Sequence, residues 1–305
     1  MKFPLSKYIW FDGKLVPVNM AKVPVTTHAI HYGTSIFEGI RAYWNSKNLH
    51  VFRLKDHVKR FRNSGKFYNI KLNFSDRQIE NAVIDLCKKN KIKKSCYIRP
   101  FYFVGQYGIN FHVTQKAPTH TAIFAFPFGD LFNKSGITTT ISKWRKFSDM
   151  STPTQAKMGG NYLNSILATQ DAKQRGFDEA ILLDQSGNVS EAPGENIFLV
   201  KNNKLITPSL NSSALDGITR RSIITLAKDM KLKIKTQKVS KKELKMADEI
   251  FLSGTAAEIT PVIKIDKRKI GDGKVGNITK LLMDTYSNIV MNKNKNYSNW
   301  LTVVY

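Results

Sequence analysis

Two apolar, aromatic-rich runs, Tyr97 to Val104 and Thr121 to Phe128, limit what this chain can fold into more than any other feature. Runs of this length are too short to cross a bilayer, and their aromatic and β-branched content favours extended backbone, so both are read as strands. Residues 8 to 20 read as short strands around an Asp12-Gly13 hairpin turn, and Leu49 to Phe52 as a further strand. Leu54, Val58 and Phe61 share one face of a helix that starts near Asp56. Ser75 and Gln78 form a capping box ahead of Ile79, Val83, Leu86 and Cys87 at helical spacing. Strands and helices alternate irregularly, which gives an α+β first half.

Gly129 to Gly136, with Asn133, Lys134 and Ser135, reads as a linker. The expected division is therefore a domain over 1–128, a linker over 129–136 and a second domain over 137–305, and a length of 305 residues supports two cores. Beyond the linker, Ile137 to Ile141 is an expected strand, followed by an irregular segment carrying Pro153 and Lys157. Leu163, Ile166 and Leu167 mark the apolar face of a helix that stops at Gly176. Strands at Ala180 to Leu183, Ile197 to Val200 and Leu205-Ile206 are separated by turns at Ser186-Gly187 and Asn202-Asn203. Thr219 to Met230 is helical, Ser240 and Glu243 make a second capping box, and Ile250 to Leu252 is a buried strand. Ile278, Leu281, Leu282 and Ile289 mark a last helix.

An apolar content of 42% excludes a disordered chain. Met1 to Lys7 has no hydrophobic signal core, so no targeting segment is expected. Cys87 and Cys96 form no disulfide framework, which fits a reducing cytoplasm. The net charge of +25 raises the possibility of a basic nucleic-acid-binding protein. Its lysines are scattered, with no aromatic-interleaved basic stripe, so neither a specific nucleic acid nor a membrane is expected as a partner.

Three segments carry chemistry. Lys157 lies in Gln155-Ala156-Lys157-Met158-Gly159-Gly160-Asn161-Tyr162, among small residues rather than in a charge run. A lysine that attacks an aldehyde must be neutral, and desolvation lowers its pKa. Glu191, before the Pro193-Gly194 turn, is placed to favour a protonated pyridine nitrogen; Glu195 is the rival carboxylate, better suited to bonding turn amides. Ser253 to Glu258, with Thr255, and Asp216 to Arg220, which opens a helix, offer hydroxyl and backbone N–H groups for phosphate, and Arg60 offers a guanidinium fork. The order lysine, carboxylate, hydroxyl suggests a pyridoxal-phosphate site. His28 and His31 make only two of the ligands a zinc site needs, so no metal is expected. Gly271 to Gly276 lacks the phosphate-loop spacing and reads as a turn.

These segments, with Tyr8 to Phe11, His31 to Arg41, Tyr97 to Pro100 and Gly217 to Arg220, resemble the branched-chain-amino-acid aminotransferases of the fold-type IV pyridoxal-phosphate class along nearly the whole chain. The resemblance implies a two-domain fold like that of D-amino-acid aminotransferase: a smaller α/β N-terminal domain, a larger C-terminal domain and the cofactor between them. It implies Lys157 as the aldehyde-binding lysine and proton carrier, Glu191 on the pyridine nitrogen and Tyr162 on the phenolic oxygen. Arg60, Ile218, Thr219 and Thr255 would hold the phosphate, Ile218 through its backbone. Tyr32, Phe37, Tyr97 and Phe128 would line the side-chain pocket, Thr255 and Ala256 would meet the substrate carboxylate, and Arg99 the distal carboxylate of glutamate. Tyr32 would come from a neighbouring subunit, so a homodimer, or a hexamer built of dimers, is implied. The implied reaction exchanges an amino group between leucine, isoleucine or valine and 2-oxoglutarate. D-amino-acid aminotransferase and aminodeoxychorismate lyase share the lysine and carboxylate; the Tyr32 and Tyr97 to Arg99 segments favour the branched-chain group. Phe128 stands where many relatives carry tryptophan, and Ala192 and Asp216 replace a commoner glycine and proline.

Overall fold

The computed structural model describes residues 6–305. The reading of Met1 to Lys7 as free of a signal core falls mostly outside them. The chain divides into two units: 1–129 with 156–160 and 288–305, and 130–155 with 161–287. The segment around Lys157 and the last eighteen residues thus count with the first unit, which the expected cut at 129–136 does not include.

In chain order the first unit contains β1 (Tyr8–Phe11), β2 (Lys14–Pro17), α1 (His28–Tyr32), β3 (Ser35–Phe37), β4 (Ile40–Trp44) and β5 (Leu49–Phe52). Helices α2 (Leu54–Lys66) and α3 (Asp76–Lys89) and strands β6 (Cys96–Val104) and β7 (Thr119–Pro127) follow. The second unit supplies β8 (Ile137–Arg145), α4 (Tyr162–Gln174), β9 (Glu179–Leu183), β10 (Asn196–Lys201), β11 (Lys204–Pro208) and α5 (Ile218–Asp229). It continues with β12 (Lys233–Gln237), α6 (Lys241–Lys245), β13 (Glu249–Gly254), β14 (Glu258–Ile265) and β15 (Arg268–Lys269). Helix α7 (Asn277–Val290) leads to β16 (Leu301–Val303), which pairs with β5.

The first sheet runs β16-β5-β4-β6-β7-β1-β2, with the short β3 also on β6. Both aromatic runs are long central strands paired along their whole length, from Cys96 opposite Pro127 to Val104 opposite Thr119. Period-two alternation decides their faces. Cys96, Ile98, Tyr102 and Val104 enter the core formed with Leu54, Val58 and Phe61 of α2 and Ile79, Val83 and Leu86 of α3. The alternate positions Tyr97, Arg99, Phe101 and Phe103 make a second, aromatic face with Phe124 and Phe126. Two apolar faces explain why these runs look continuous in sequence. The Asp12-Gly13 turn has φ of 45° and 92°, as the hairpin requires, and Ser75 with Gln78 forms the expected capping box. Helix α2 begins at Leu54, two residues before the expected start, and Arg53 at its N-cap pairs with Asp56 at 2.7 Å.

The second sheet runs β12-β11-β10-β13-β14-β8-β9 and is mixed: β11 with β12, β14 with β8, and β8 with β9 are parallel. Asn202 and Asn203 both have positive φ in the β10–β11 turn, and Ser240 caps α6 through Glu243. Helix α4 departs from expectation. Leu163, Ile166 and Leu167 are exposed, and the helix instead buries Asn164, Ser165, Ala168, Asp171 and Ala172. Its alanines meet Ala180 and Leu182, a contact that small side chains permit. The buried polar groups have partners: Asn164 Nδ2 donates to the Arg145 carbonyl at 2.9 Å, and Ser165 Oγ to that of Pro193 at 2.7 Å. Helical spacing marks a stripe but not which stripe is buried. The structure has helices and strands in two sheets, an α+β fold.

Gly65 packs where a Cβ would lie 1.8 Å from the Tyr102 hydroxyl, which bonds the Phe61 carbonyl. Gly65→Ala should therefore force α2 away from β6 and destabilise the chain by about 1–3 kcal/mol. Denaturant unfolding checks this, and an unchanged midpoint would contradict the packing.

Candidate functional site

Lys157 sits in the segment Ala156–Gly160 of the first unit. Its backbone N–H donates to Ser64 Oγ of α2 at 3.0 Å, and its carbonyl accepts from Phe37 N at 3.1 Å. The glycines beside it are small for a reason: a Cβ on Gly159 would stand 2.3 Å from Ser35 Oγ. The Lys157 ammonium lies 4.9 Å from the centre of the Phe37 ring. Lys157 is half-buried as a residue, but burial of its ammonium, joined by the nearby Arg60 charge, pushes its pKa down to about 8. Glu38 and Tyr97 oppose that shift, and Arg99 adds to it.

The same unit gathers most of the expected side-chain pocket. Arg99 Nη2 donates to the Tyr97 hydroxyl at 3.1 Å, and its guanidinium lies over both Phe37, at 4.6 Å, and Tyr97, at 5.2 Å. Arg99 Nε is buried without a hydrogen-bond partner among the described residues. The Phe128 ring is 5.5 Å from Tyr97 and carries the Arg41 guanidinium at 5.2 Å. Gly39 leaves room for Tyr97, whose hydroxyl would be 1.8 Å from any Cβ there. Tyr32 stands apart from this group, its ring against His28 and Phe111. His28 is structural, with its ring nitrogens on Thr34 Oγ1 and the Asn110 carbonyl.

Arg60 is engaged by a residue that sequence reasoning missed. Its Nε and Nη2 donate to the carboxylate of Glu38 at 2.6 and 2.8 Å, and His57 Nδ1 meets Glu38 Oε2 at 2.7 Å. Burial works against the Glu38 charge, but Arg60 and His57 hold the carboxyl well below its usual range. Burial also lowers the pKa of His57 against the pull of Glu38, so a neutral ring donates to the carboxylate. The available signal was an acid inside the apolar stretch Ile36 to Ile40, opposite His57, Arg60 and Ser64 at helical spacing.

In the second unit Glu191 is buried, with Lys146 Nζ 2.7 Å from Oε1. Its Oε2 accepts from Leu215 N at 2.9 Å and from Asn196 Nδ2 at 3.2 Å. Burial opposes the charge on Lys146, but Glu191 outweighs it and raises the lysine's pKa, with Tyr162 contributing further. Nothing in the sequence singled out Lys146. Glu195 instead accepts from Gly194 N at 3.2 Å, a bond within the turn. Gln155 ties the loop before α5, donating to the Ala214 carbonyl at 2.7 Å and accepting from Asp216 N at 3.1 Å. Ile218 and Thr219 open α5 with Gly217 as N-cap, one residue earlier than the sequence suggested, so the first helical N–H groups are directed outward from its end. Asp216, in place of a proline, pairs with Arg220 and Arg221. Thr255 and Ala256 occupy the turn between β13 and β14. Within this unit the Leu215 N–H bond to Glu191 holds the buried carboxylate beside the loop that opens α5.

The model of the amino-transferase class IV family matches residues 35–265. The chain is 42% identical over 302 residues to a probable branched-chain-amino-acid aminotransferase of Aquifex aeolicus, covering 98% of this chain and 97% of that one. Its fold matches a branched-chain aminotransferase of the archaeon Thermoproteus uzoniensis, crystallised with norvaline, at a TM-score of 0.96 and 41% identity, covering 98% and 100% of the two chains. It also matches the branched-chain amino acid aminotransferase of Thermobaculum terrenum, crystallised in its PLP-bound holo-form, at a TM-score of 0.93 and 34% identity, with 99% of both chains covered.

Lys157 titrates near 8 when folded, against an ordinary lysine value of 10.5. Between these values the unfolded chain binds more protons, so this residue makes stability rise with pH across that window and lowers it below. Trace acetylation of the full chain, free of bound aldehyde, should give the Lys157 peptide a reactivity midpoint about 8, below that of exposed lysines. A midpoint shared with the surface lysines would contradict the enclosure of this amine.

Proposed function

Since the chain belongs to the class IV aminotransferases, among the branched-chain-amino-acid aminotransferases, we propose that it transfers the amino group of leucine, isoleucine or valine to 2-oxoglutarate with pyridoxal phosphate as cofactor. The residues fit that group: an amine that is partly neutral near pH 8, a buried carboxylate and a helix N-terminus. When bound, the cofactor supplies an aldehyde for amino groups and a ring that draws electrons from Cα. Lys157 would hold the aldehyde, and its Nζ would be the group that moves the substrate Cα proton. Glu191, steadied by Lys146 and Asn196, would favour a protonated ring nitrogen, and Tyr162 would meet the phenolic oxygen. Ile218 N–H, Thr219 and Thr255 would hold the phosphate, with Arg60 adding positive charge, while Thr255 and Ala256 would meet the α-carboxylate.

One observation carries the double specificity: the Arg99 guanidinium, with a buried Nε that has no hydrogen-bond partner among the described residues, lies over Phe37 and Tyr97, whose ring meets Phe128, in the same unit as Lys157. The rings accept a branched aliphatic chain, and Arg99 accepts the distal carboxylate of glutamate or 2-oxoglutarate.

Assembly is part of the same reading. Ile30, Ile109 and Phe111, the last with its ring against Tyr32, are exposed in the first unit, and Leu163, Ile166 and Leu167 on α4 in the second. Such apolar faces support a homodimer or a hexamer of dimers, with Tyr32 entering a neighbouring subunit's site. No helix among the described residues is long and apolar enough to cross a membrane. With two free cysteines, the cytoplasm is the proposed location.

Glu191→Gln should slow turnover by several orders of magnitude, since an amide does not favour the protonated ring, and Glu195→Gln should cost far less. Steady-state rates rank the two, and the reverse order would remove Glu191 from its role. For Arg99→Ala, loss of a charge-assisted contact of roughly 1.5–3 kcal/mol should weaken the glutamate half-reaction about ten- to a hundredfold and spare leucine. Single-turnover measurements with each donor test the function directly, and equal slowing of both would defeat the shared-pocket reading.

A further inference from the structure

Glu38 has no role in the scheme above, yet it is wholly buried and is held by three donor atoms of Arg60 and His57. A carboxylate in a protein interior is costly unless paired, and pairing alone rarely makes such a group stabilising. Its surroundings explain why it is there. His57, Arg60 and Ser64 recur at helical spacing on α2, so one face of that helix carries all three. Ser64 receives the N–H of Lys157, and Phe37, the residue before Glu38, donates to the Lys157 carbonyl and places its ring at the ammonium. The two elements that fix the Lys157 backbone are therefore the two that hold the Glu38–Arg60 pair.

The charged and titratable groups that act on the amine are Arg60 and His57 from α2, Glu38 after β3, and Tyr97 and Arg99 from β6. Without Glu38, two guanidinium groups would act on one ammonium with no carboxylate among these groups to offset them. We propose that Glu38 is a positioning residue for Lys157: its carboxylate, steadied by His57, sets the plane of Arg60 and offsets enough of its charge for the neighbouring amine to be protonated and deprotonated in turn. This rests on Lys157 being the aldehyde-binding lysine.

The test reads the acetylation midpoint of the Lys157 peptide in the full chain freed of cofactor, with thermal melting as a control for folding. Glu38→Gln keeps the shape and removes the negative charge, so the midpoint should fall by about one pH unit. Arg60→Gln removes the opposing charge, so the midpoint should rise by about one unit. A purely structural pair would lower melting temperature in both variants and leave the midpoint unmoved, or move it in one direction in both; either result overturns the proposal. Should Glu38→Gln not fold, Arg60→Gln decides alone, and a midpoint that stays or falls overturns it. Borohydride reduction of the pyridoxal-phosphate-loaded wild type separates the two levels. A tag on another lysine removes the Lys157 reading and the proposal with it. A tag on Lys157 with unmoved midpoints removes only the role of Glu38.

Discussion

Two backbone hydrogen bonds hold Lys157, the proposed aldehyde-binding lysine, in place. Lys157 N–H to Ser64 and Phe37 N–H to the Lys157 carbonyl draw the segment Ala156–Gly160, remote in sequence, into the packing of the first unit. A small neighbour makes this possible, because Gly159 approaches Ser35 more closely than a side chain would allow. Once the backbone is fixed there, the ammonium is surrounded by Phe37, Tyr97, Arg99 and Arg60, and its low pKa follows from desolvation and like charge. Reactivity is here a consequence of chain placement rather than of any unusual side chain.

The second unit applies the opposite logic to Glu191. There a carboxylate must remain charged in a buried place, and Lys146, Asn196 and the Leu215 N–H supply the compensation. Lys146 also bears on the role proposed for Glu191 at the ring nitrogen. A cation on one oxygen keeps the carboxylate ionised but reduces its basicity, so Glu191 would favour a protonated ring nitrogen without taking the proton itself. Glu195, four positions along the chain, turns its carboxylate back onto the Gly194 N–H and so serves its own loop.

Much of this was legible in the sequence, and the gaps have physical causes. Local signals held: both capping boxes, the Asp12-Gly13 and Asn202-Asn203 turns and the long strands β6 and β7 depend on interactions a few residues apart or on strand composition. What failed was information about the far side of an element. Helix α4 shows a clear apolar stripe, but a close contact through Ala168 and Ala172 buries the polar one. The short α1 and strands β12 and β16, the last paired with β5, went unread because they take their stability from partners distant in sequence. Among the candidate site residues, Lys157, Glu191 and Arg99 could be singled out from the sequence because each lies in a short motif of distinctive chemistry. Glu38, His57 and Lys146 were missed because their meaning lies in a partner: Glu38 with Arg60 is separated by 22 positions, and no spacing rule links Lys146 to Glu191.

The Glu38–Arg60–His57 cluster also bears on the balance between stability and function. Replacing a buried ion pair with well-packed apolar residues is often neutral or stabilising, by about 1–4 kcal/mol in known cases. The pair lies beside a continuous apolar core formed by α2, α3 and the first sheet. Arg60 nevertheless sits on the helix face that holds the reactive lysine, where a cation would serve an anionic ligand. A cation kept there for that purpose must be desolvated before the ligand arrives, and it must not swing onto another acceptor. Glu38 satisfies both conditions with a fork that fixes the guanidinium plane, and His57 prevents the carboxylate itself from turning. The cluster is therefore best understood as preorganisation, a cost in folding free energy accepted so that the charge around Lys157 is already arranged when substrate binds.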